Sequence, residues 1–342
     1  MIEKILHYAK KQGCSDVHIT TGGVPLLRID GDISAIPNAP ILTAEQVLEM
    51  VQSIMTDLQK KTYQEKMELD FAIQVGEAMR FRVNAFRTIN GPAAVFREIP
   101  TKIKTLDELH APEIIRGLSN ATKGLILVVG PTGSGKSTTL AALIDQINTN
   151  HSHHILTIED PVEFIHKSKK SLVSQREVGS STASFAAALK SALRQDPDVI
   201  LVGEMRDVET IHLALTAAET GHLVLGTLHT SSAAKTINRI IDVFPAEDKA
   251  LVRTMLSTSI GAVVSQRLLK KKGGGRIAAY EIMLANASIR NLIREDKIPQ
   301  INSIMELSKR IGMCQMKDSI GELLAKGFIT PEVAEEAIHS SD

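Results

Sequence analysis

The stretch Gly130-Pro-Thr-Gly-Ser-Gly-Lys136-Ser137-Thr138 constrains this chain more than any other, because it stands between the apolar run LILVV and the apolar segment TLAALIDQI. A strand, a glycine-rich turn and a helix in that order let backbone amides curl around an anion while the helix presents its positive end. Within such a turn Lys136 reaches terminal phosphates and the Ser137 hydroxyl can ligate magnesium. Composition alone would give the bare GxxxxGK[ST] pattern in about one random chain of this length in a hundred, and the flanking context lowers that further. The spacing therefore predicts a cradle for nucleotide phosphates made by Gly130, Thr132, Gly133, Ser134, Gly135, Lys136, Ser137 and Thr138.

Acids follow at the ends of two later apolar runs. Ile200-Leu-Val-Gly-Glu204 ends in a carboxylate, and Glu204 is the first candidate for the group that holds magnesium or orients the attacking water. Gly203 stands where such strands usually carry an aspartate. In ILTIEDPVEF, Glu159, Asp160 and Glu163 leave another buried-looking strand at the edge where open parallel sheets bind ligands. Alone, these would read as solvated strand exits; downstream of a phosphate loop they read as magnesium contacts or water activators.

His222 and His229 bracket the apolar strand in GHLVLGTLHT, and the polar end His229-Thr230 is placed to sense a γ-phosphate. Arg80 and Arg82 alternate along one strand and Arg97 sits on another; fixed guanidinium forks suit phosphoryl transfer, so Arg82 and Arg97 are kept against the alternative of a solvated sheet face. The HSHH stretch at 151–154 lacks a partner cluster and reads as a loop.

At 342 residues the chain exceeds the usual single domain. Residues 2–11 read as a short helix stopped at Gly13, with strands at 16–20 and 24–29 leading into an Asp30-Gly31 turn. Thr43 and Gln46 form a capping-box pattern that starts a helix running to about Lys60. Strand-like runs at 69–75, 79–86 and 93–99, separated by Gly76-Glu77 and Asn90-Gly91, predict an antiparallel meander. Residues 1–100 are thus a small α/β domain, 101–118 a linker, and 119–276 a core whose continuous apolar strands fit a mostly parallel sheet. After the basic, glycine-rich break at 270–276, residues 277–342 are read as a helical region with helices at 287–296, 302–311, 316–326 and 331–340, the last capped by Thr330.

Composition removes several classes. Lys plus Arg and Asp plus Glu both number 39, and aromatics are 3%, which disfavours a nucleic-acid partner. Two cysteines, Cys14 and Cys314, support neither a disulfide framework nor a cysteine zinc site. No run reaches the roughly 18 apolar residues of a membrane span, so a cytoplasmic chain is expected.

Together GPTGSGKST, ILTIEDPVEF, VILVGEMRD and GHLVLGTLHT stand in the order and spacing of the Walker A, Asp box, Walker B and His box of bacterial secretion ATPases, which this chain resembles over nearly its whole length. Within that family SIRNLIRE at 288–295 is similar to the AIRNLIRE motif of type IV pilus retraction motors, departing only at its first residue. The resemblance implies a PAS-like N-terminal domain, a RecA-like core and a homohexameric ring with ATP at domain and subunit interfaces. It also implies pilus disassembly driven by ATP and Mg2+, at the inner membrane through a pilus platform protein. It maps Walker and Asp-box roles onto Lys136, Ser137, Glu163 and Glu204, His-box roles onto His222 and His229, and arginine contacts onto Arg82 and Arg97; whether Glu204 or Glu163 is the base stays open. Pilus assembly and type II secretion ATPases are the nearest alternative, but they generally carry a longer N-terminal region and a four-cysteine zinc site. A nucleic-acid translocase and a non-hydrolysing, nucleotide-gated scaffold are the more distant ones.

Overall fold

The computed structural model describes residues 1–29, 31–76, 79–99 and 101–339. The chain divides into two compact units, Met1–Lys102 with Asp160–Ile165, and Ile103–Glu159 with the chain from His166 onward.

Unit 1 holds α1 (Ile2–Lys11), β1 (Asp16–Thr20), β2 (Leu26–Ile29), β3 (Asp32–Ala35), α2 (Ala44–Gln52), α3 (Asp57–Lys66), β4 (Glu68–Val75), β5 (Met79–Thr88) and β6 (Gly91–Ile99). Its six-stranded antiparallel sheet runs β3-β2-β1-β6-β5-β4. Along β5 buried and less buried residues alternate, the pattern of a sheet with one face on a core. Val17, Phe81, Val83 and Phe96 line that face and meet Leu6 of α1 and Val47 of α2.

The capping box at Thr43 and Gln46 forms as read, but the helix it starts does not reach Lys60. A second capping box, Thr56 with Gln59, opens α3, and extended backbone at Thr56 breaks the run. Strand β3 escaped the sequence reading because all four of its residues are exposed and no apolar alternation marks it. Asp30 of the expected Asp30-Gly31 turn, Glu77 of the Gly76-Glu77 turn and Ser340 at the end of the last expected helix lie outside the described residues.

Unit 2 continues with α4 (Glu113–Gly117), β7 (Gly124–Val129), α5 (Lys136–Asn150), β8 (His154–Glu159), β9 (Leu172–Glu177), α6 (Phe185–Ala192) and β10 (Val199–Val202). Then come α7 (Val208–Glu219), β11 (Leu223–Leu228), α8 (Ala233–Asp242), α9 (Lys249–Ser259), β12 (Ile260–Lys270), β13 (Arg276–Leu284), α10 (Ala287–Arg294), α11 (Ile301–Leu307), α12 (Met316–Ala325) and α13 (Pro331–His339). The seven strands are ordered β13-β12-β7-β11-β10-β8-β9, all parallel except β13. Every residue of β10 and β11 is buried, because helices cover both faces. Leu127, Val202 and Val224 face α6 to α10, while Ile126, Leu201 and Leu225 face α5 and α4.

Two expected boundaries move. The stretch 101–118 is not a free linker: Leu106, Ala111 and Ile115 are at most 3% exposed and pack with Ile126 and Leu143, so its few apolar residues fasten it to the sheet. Nor is 277–342 wholly helical. Nine residue pairs join β13 to β12 in antiparallel register around the glycine turn, so the boundary at 276/277 cuts into a core strand. Strand β9 was unread because LVSQRE is a polar edge strand.

The turn after β10 is fixed by Asp207, which caps α7: its carboxylate accepts both the amide and the hydroxyl of Thr210 at 2.8 Å. Asp207→Ala is expected to lower stability by about 1 kcal/mol, read as a shift in the urea midpoint with the slope unchanged.

Candidate functional site

The parallel strands of unit 2 deliver their following loops to one edge. After β7 the chain enters the glycine turn with φ of +148° at Gly130, +77° at Gly133 and +88° at Gly135, the last of these capping α5. Gly130 has no room for a side chain: a Cβ there would stand 2.3 Å from the Gln266 carbonyl and 2.6 Å from Ser134 Oγ. Lys136 is 9% exposed, and its Nζ donates to the carbonyls of Gly130 at 2.8 Å and Pro131 at 3.0 Å, which holds the ammonium inside the loop. Thr132 and Gly133 are exposed, Ser137 and Thr138 partly so. The Ser134 hydroxyl is buried and has no hydrogen-bond partner among the described residues. Exposed backbone at a helix start, a caged ammonium and an unsatisfied hydroxyl suit an anion with several oxygens.

Strand order then brings the other groups in. Leu228, the last residue of β11, accepts the Gly130 amide at 3.4 Å, so His229 begins beside the glycine turn. One strand further, Glu204 follows β10; its Oε1 lies 3.0 Å from His229 Nε2 and 2.5 Å from Arg206 Nε, with the carboxylate side chain 19% exposed. Gly203 is tightly placed: a Cβ there would stand 3.0 Å from the Ile158 carbonyl and 3.2 Å from Glu159 Cα, so β8 would have to give by a few tenths of an ångström. The carboxylate at this strand end is carried by the next residue, Glu204.

Glu159, at the end of β8, accepts from Thr157 Oγ1 at 2.7 Å and Gln175 Nε2 at 3.3 Å. The glycine turn, His229, Glu204 and Glu159 thus converge at the carboxyl edge of four adjacent strands, β7-β11-β10-β8. A carboxylate oriented by an imidazole and a guanidinium beside an anion cradle can accept a proton from water.

Other expected residues fall elsewhere. His222, expected to bind nucleotide, sits at the opposite edge. Its carbonyl accepts the Gly124 amide at 3.0 Å, at the start of β7 and about 20 Å along that strand from Gly130. Its Nδ1 lies 3.0 Å from the Ala217 carbonyl and 3.2 Å from Thr220 Oγ1. Two histidines that bracket one strand must occupy opposite ends of it, and only one end meets the glycine turn. Glu163, Arg82 and Arg97 belong to unit 1.

There, Arg82 lies directly opposite Arg97 across β5 and β6. Arg82 Nε stands 3.7 Å from Asp70, and Arg97 Nε donates to Asp16 at 2.7 Å. Burial pushes the Asp16 carboxyl up, but hydrogen bonds from Ser15 and Arg97 and the charge of Arg97 outweigh it and leave it below its ordinary value. Arg80, passed over in the sequence reading, donates from Nε at 3.2 Å and Nη2 at 2.8 Å to the Val162 carbonyl, anchoring the segment that carries Glu163. In the 151–154 stretch His153 and His154 engage Asp198, Gln195 and Ser174, and no group of three His, Cys, Asp or Glu among the described residues is placed to hold a metal.

Gln266 was also missed. It is 2% exposed on β12, and its side-chain amide donates to the Ser134 carbonyl at 2.8 Å while its oxygen accepts from Thr139 Oγ1 at 2.8 Å. A polar residue inside the strand VVSQRLL was the available signal.

A mostly parallel sheet with this turn after one strand and a positioned carboxylate two strands away defines a RecA-like P-loop ATPase core. The family model described as Type II/IV secretion system protein matches residues 1–335, and the chain belongs to that family. The chain is 56% identical over 335 residues to the "Type IV pilus retractation ATPase PilT" of Pseudomonas aeruginosa, spanning 98% of this chain and 97% of that protein. It is 57% identical over 319 residues to a "Twitching motility protein" of Neisseria gonorrhoeae, spanning 93% and 85%. Among solved structures, a crystal structure of the pilus retraction motor PilT with bound ADP superposes with a TM-score of 0.91 at 48% identity, over 98% of this chain and 96% of that one.

Removing the Gln266 side chain leaves a buried carbonyl and a buried hydroxyl unpaired at the glycine turn. Gln266→Ala is expected to weaken ADP binding about tenfold or more, read by titration with a fluorescent ADP analogue.

Proposed function

We propose that this chain is a motor ATPase that converts ATP hydrolysis into disassembly and retraction of a type IV pilus, the activity behind twitching motility. The observation that carries the reading is the pairing of Glu204 with His229 beside an intact glycine turn, in a chain aligned end to end with relatives named for that work.

In this reading the amides from Gly133 to Ser137 and the Lys136 ammonium bind the phosphates, with Thr132 and Thr138 at the margins of the cradle. Glu204 takes the proton of the attacking water, and His229 keeps that carboxylate turned towards the glycine turn. Glu159 and Glu163 are the supporting acids of the Asp box. The Ser137 hydroxyl and the Glu204 and Glu163 carboxylates, directly or through water, would be the hard oxygen donors for Mg2+, which would supply positive charge against the phosphates.

Arg82 and Arg97 act in a homohexameric ring as cations offered to a neighbouring subunit. No helix among the described residues is long and apolar enough to cross a membrane; attachment to the inner membrane is through a pilus platform protein.

ATP turnover by the purified protein, measured beside its mass by light scattering, tests the reading. Lys136→Ala is expected to lose nucleotide binding. Glu204→Ala is expected to bind ATP normally and to lose roughly a hundredfold or more in turnover. A hexameric mass with turnover indifferent to single-stranded DNA supports the motor; wild-type turnover in Glu204→Ala would remove that carboxylate from the mechanism.

A further inference from the structure

The β12–β13 hairpin touches the loop that carries His229 at two places. Ser265 Oγ on β12 donates to the Ser231 carbonyl at 3.0 Å, and the Glu281 carboxylate on β13 accepts the Ala233 amide at 2.7 Å. Ala233 is the first residue of α8 and Ser232 its cap, so both ties fall just downstream of His229. The hydroxyls of Thr230 in the loop and Thr236 in α8 are 2.6 Å apart, and Thr236 also donates to the Ser232 carbonyl at 2.7 Å. A short loop fastened at each of these points leaves its leading side chain little freedom.

Glu281 is 8% exposed. A carboxylate that deep is retained only with donors around it. The donor at hydrogen-bond distance is the Ala233 amide at the start of α8, where the partial positive charge of a helix end favours an anion. Burial pushes the Glu281 carboxyl above its ordinary value, against the pull of the Ala233 amide, of the Met316 backbone at the start of α12 and of the Lys235 charge. Met316 and Ile320 of α12 pack with Leu269, Ile277 and Ala279 of the hairpin, so Glu281 is the polar junction between the C-terminal helices and the His229 loop.

We propose that Glu281 is a positioning residue for ATP hydrolysis: by holding the start of α8 it sets the His229 loop and, through His229, the orientation of the Glu204 carboxylate. This rests on the roles given above to Glu204 and His229. Glu281 touches no reacting group, and it makes none of the P-loop contacts described for Gln266. Its effect therefore falls on kcat and leaves KM for ATP in place.

The test is steady-state ATP hydrolysis by full-length wild type, Glu281→Gln, Ser265→Ala and His229→Ala, and by each of the first two variants combined with His229→Ala. Glu281→Gln keeps the side chain's size but removes its charge and one of its two acceptor oxygens, which weakens the hold on the Ala233 amide. It is expected to lower kcat about tenfold, comparable to losing one helix cap, with KM for ATP unchanged. Ser265→Ala removes the other tie by an independent route and is expected to shift kcat in the same direction, again without KM. Neither is expected to lower kcat further once His229 is alanine, because residues acting through one chain of contacts do not add. Losses that multiply in the double variants, or an unaltered kcat in both single variants, would overturn the proposal. An unaltered kcat in His229→Ala would remove the role of the Glu204–His229 pair, and this inference with it.

Discussion

Everything at the site depends on how tightly the glycine turn is held against β12. Gly130 abuts the Gln266 carbonyl, while the Gln266 side chain spans from the Ser134 carbonyl to the Thr139 hydroxyl. The turn is therefore formed on the edge of a neighbouring strand as well as by its own glycines. With its amides held in one curl, the loop meets phosphate without first being ordered, which is the advantage of a preorganised polar site.

From that anchor the rest follows by strand order. Parallel strands deliver their next residues to the same edge, so His229 after β11 and Glu204 after β10 arrive at the edge that carries the glycine turn although 93 and 68 residues, respectively, separate them from Lys136 in sequence. Packing sets where the carboxylate falls. The close approach of β8 crowds any side chain at Gly203, while Glu204, one residue on, carries the acid. Arg206 and His229 then share its Oε1.

The buried parallel strands and the glycine turn were legible in the sequence because they are continuous apolar runs broken by residues with one physical use. The exposed edge strand β3 and the half-buried polar edge strand β9 were not, since a strand with no fully buried residue leaves no hydrophobic period. The helix break at Thr56 was readable from Thr56 and Gln59 but hidden behind the first capping box. Site residues fared by the range of their contacts. Lys136, Ser137 and Glu204 announce themselves through neighbours in sequence; Gln266 and Glu281 act on loops 132 and 48 residues away and have no local signature. The motif names the strand that His222 precedes without saying which end of it faces the glycine turn, and His222 lies at the far end.

The central claim is that Glu204, rather than Glu163 or Glu159, faces the water that attacks the terminal phosphate. A crystal structure of the full-length protein with Mg2+ and a non-hydrolysable ATP analogue measures this directly. The account predicts the phosphates within the amides from Gly133 to Ser137, and a Glu204 oxygen about 3 Å from a water in line with the γ-phosphate. A nucleotide seated there with that water held by Glu163 or Glu159, and with Glu204 still turned to Arg206, would contradict it.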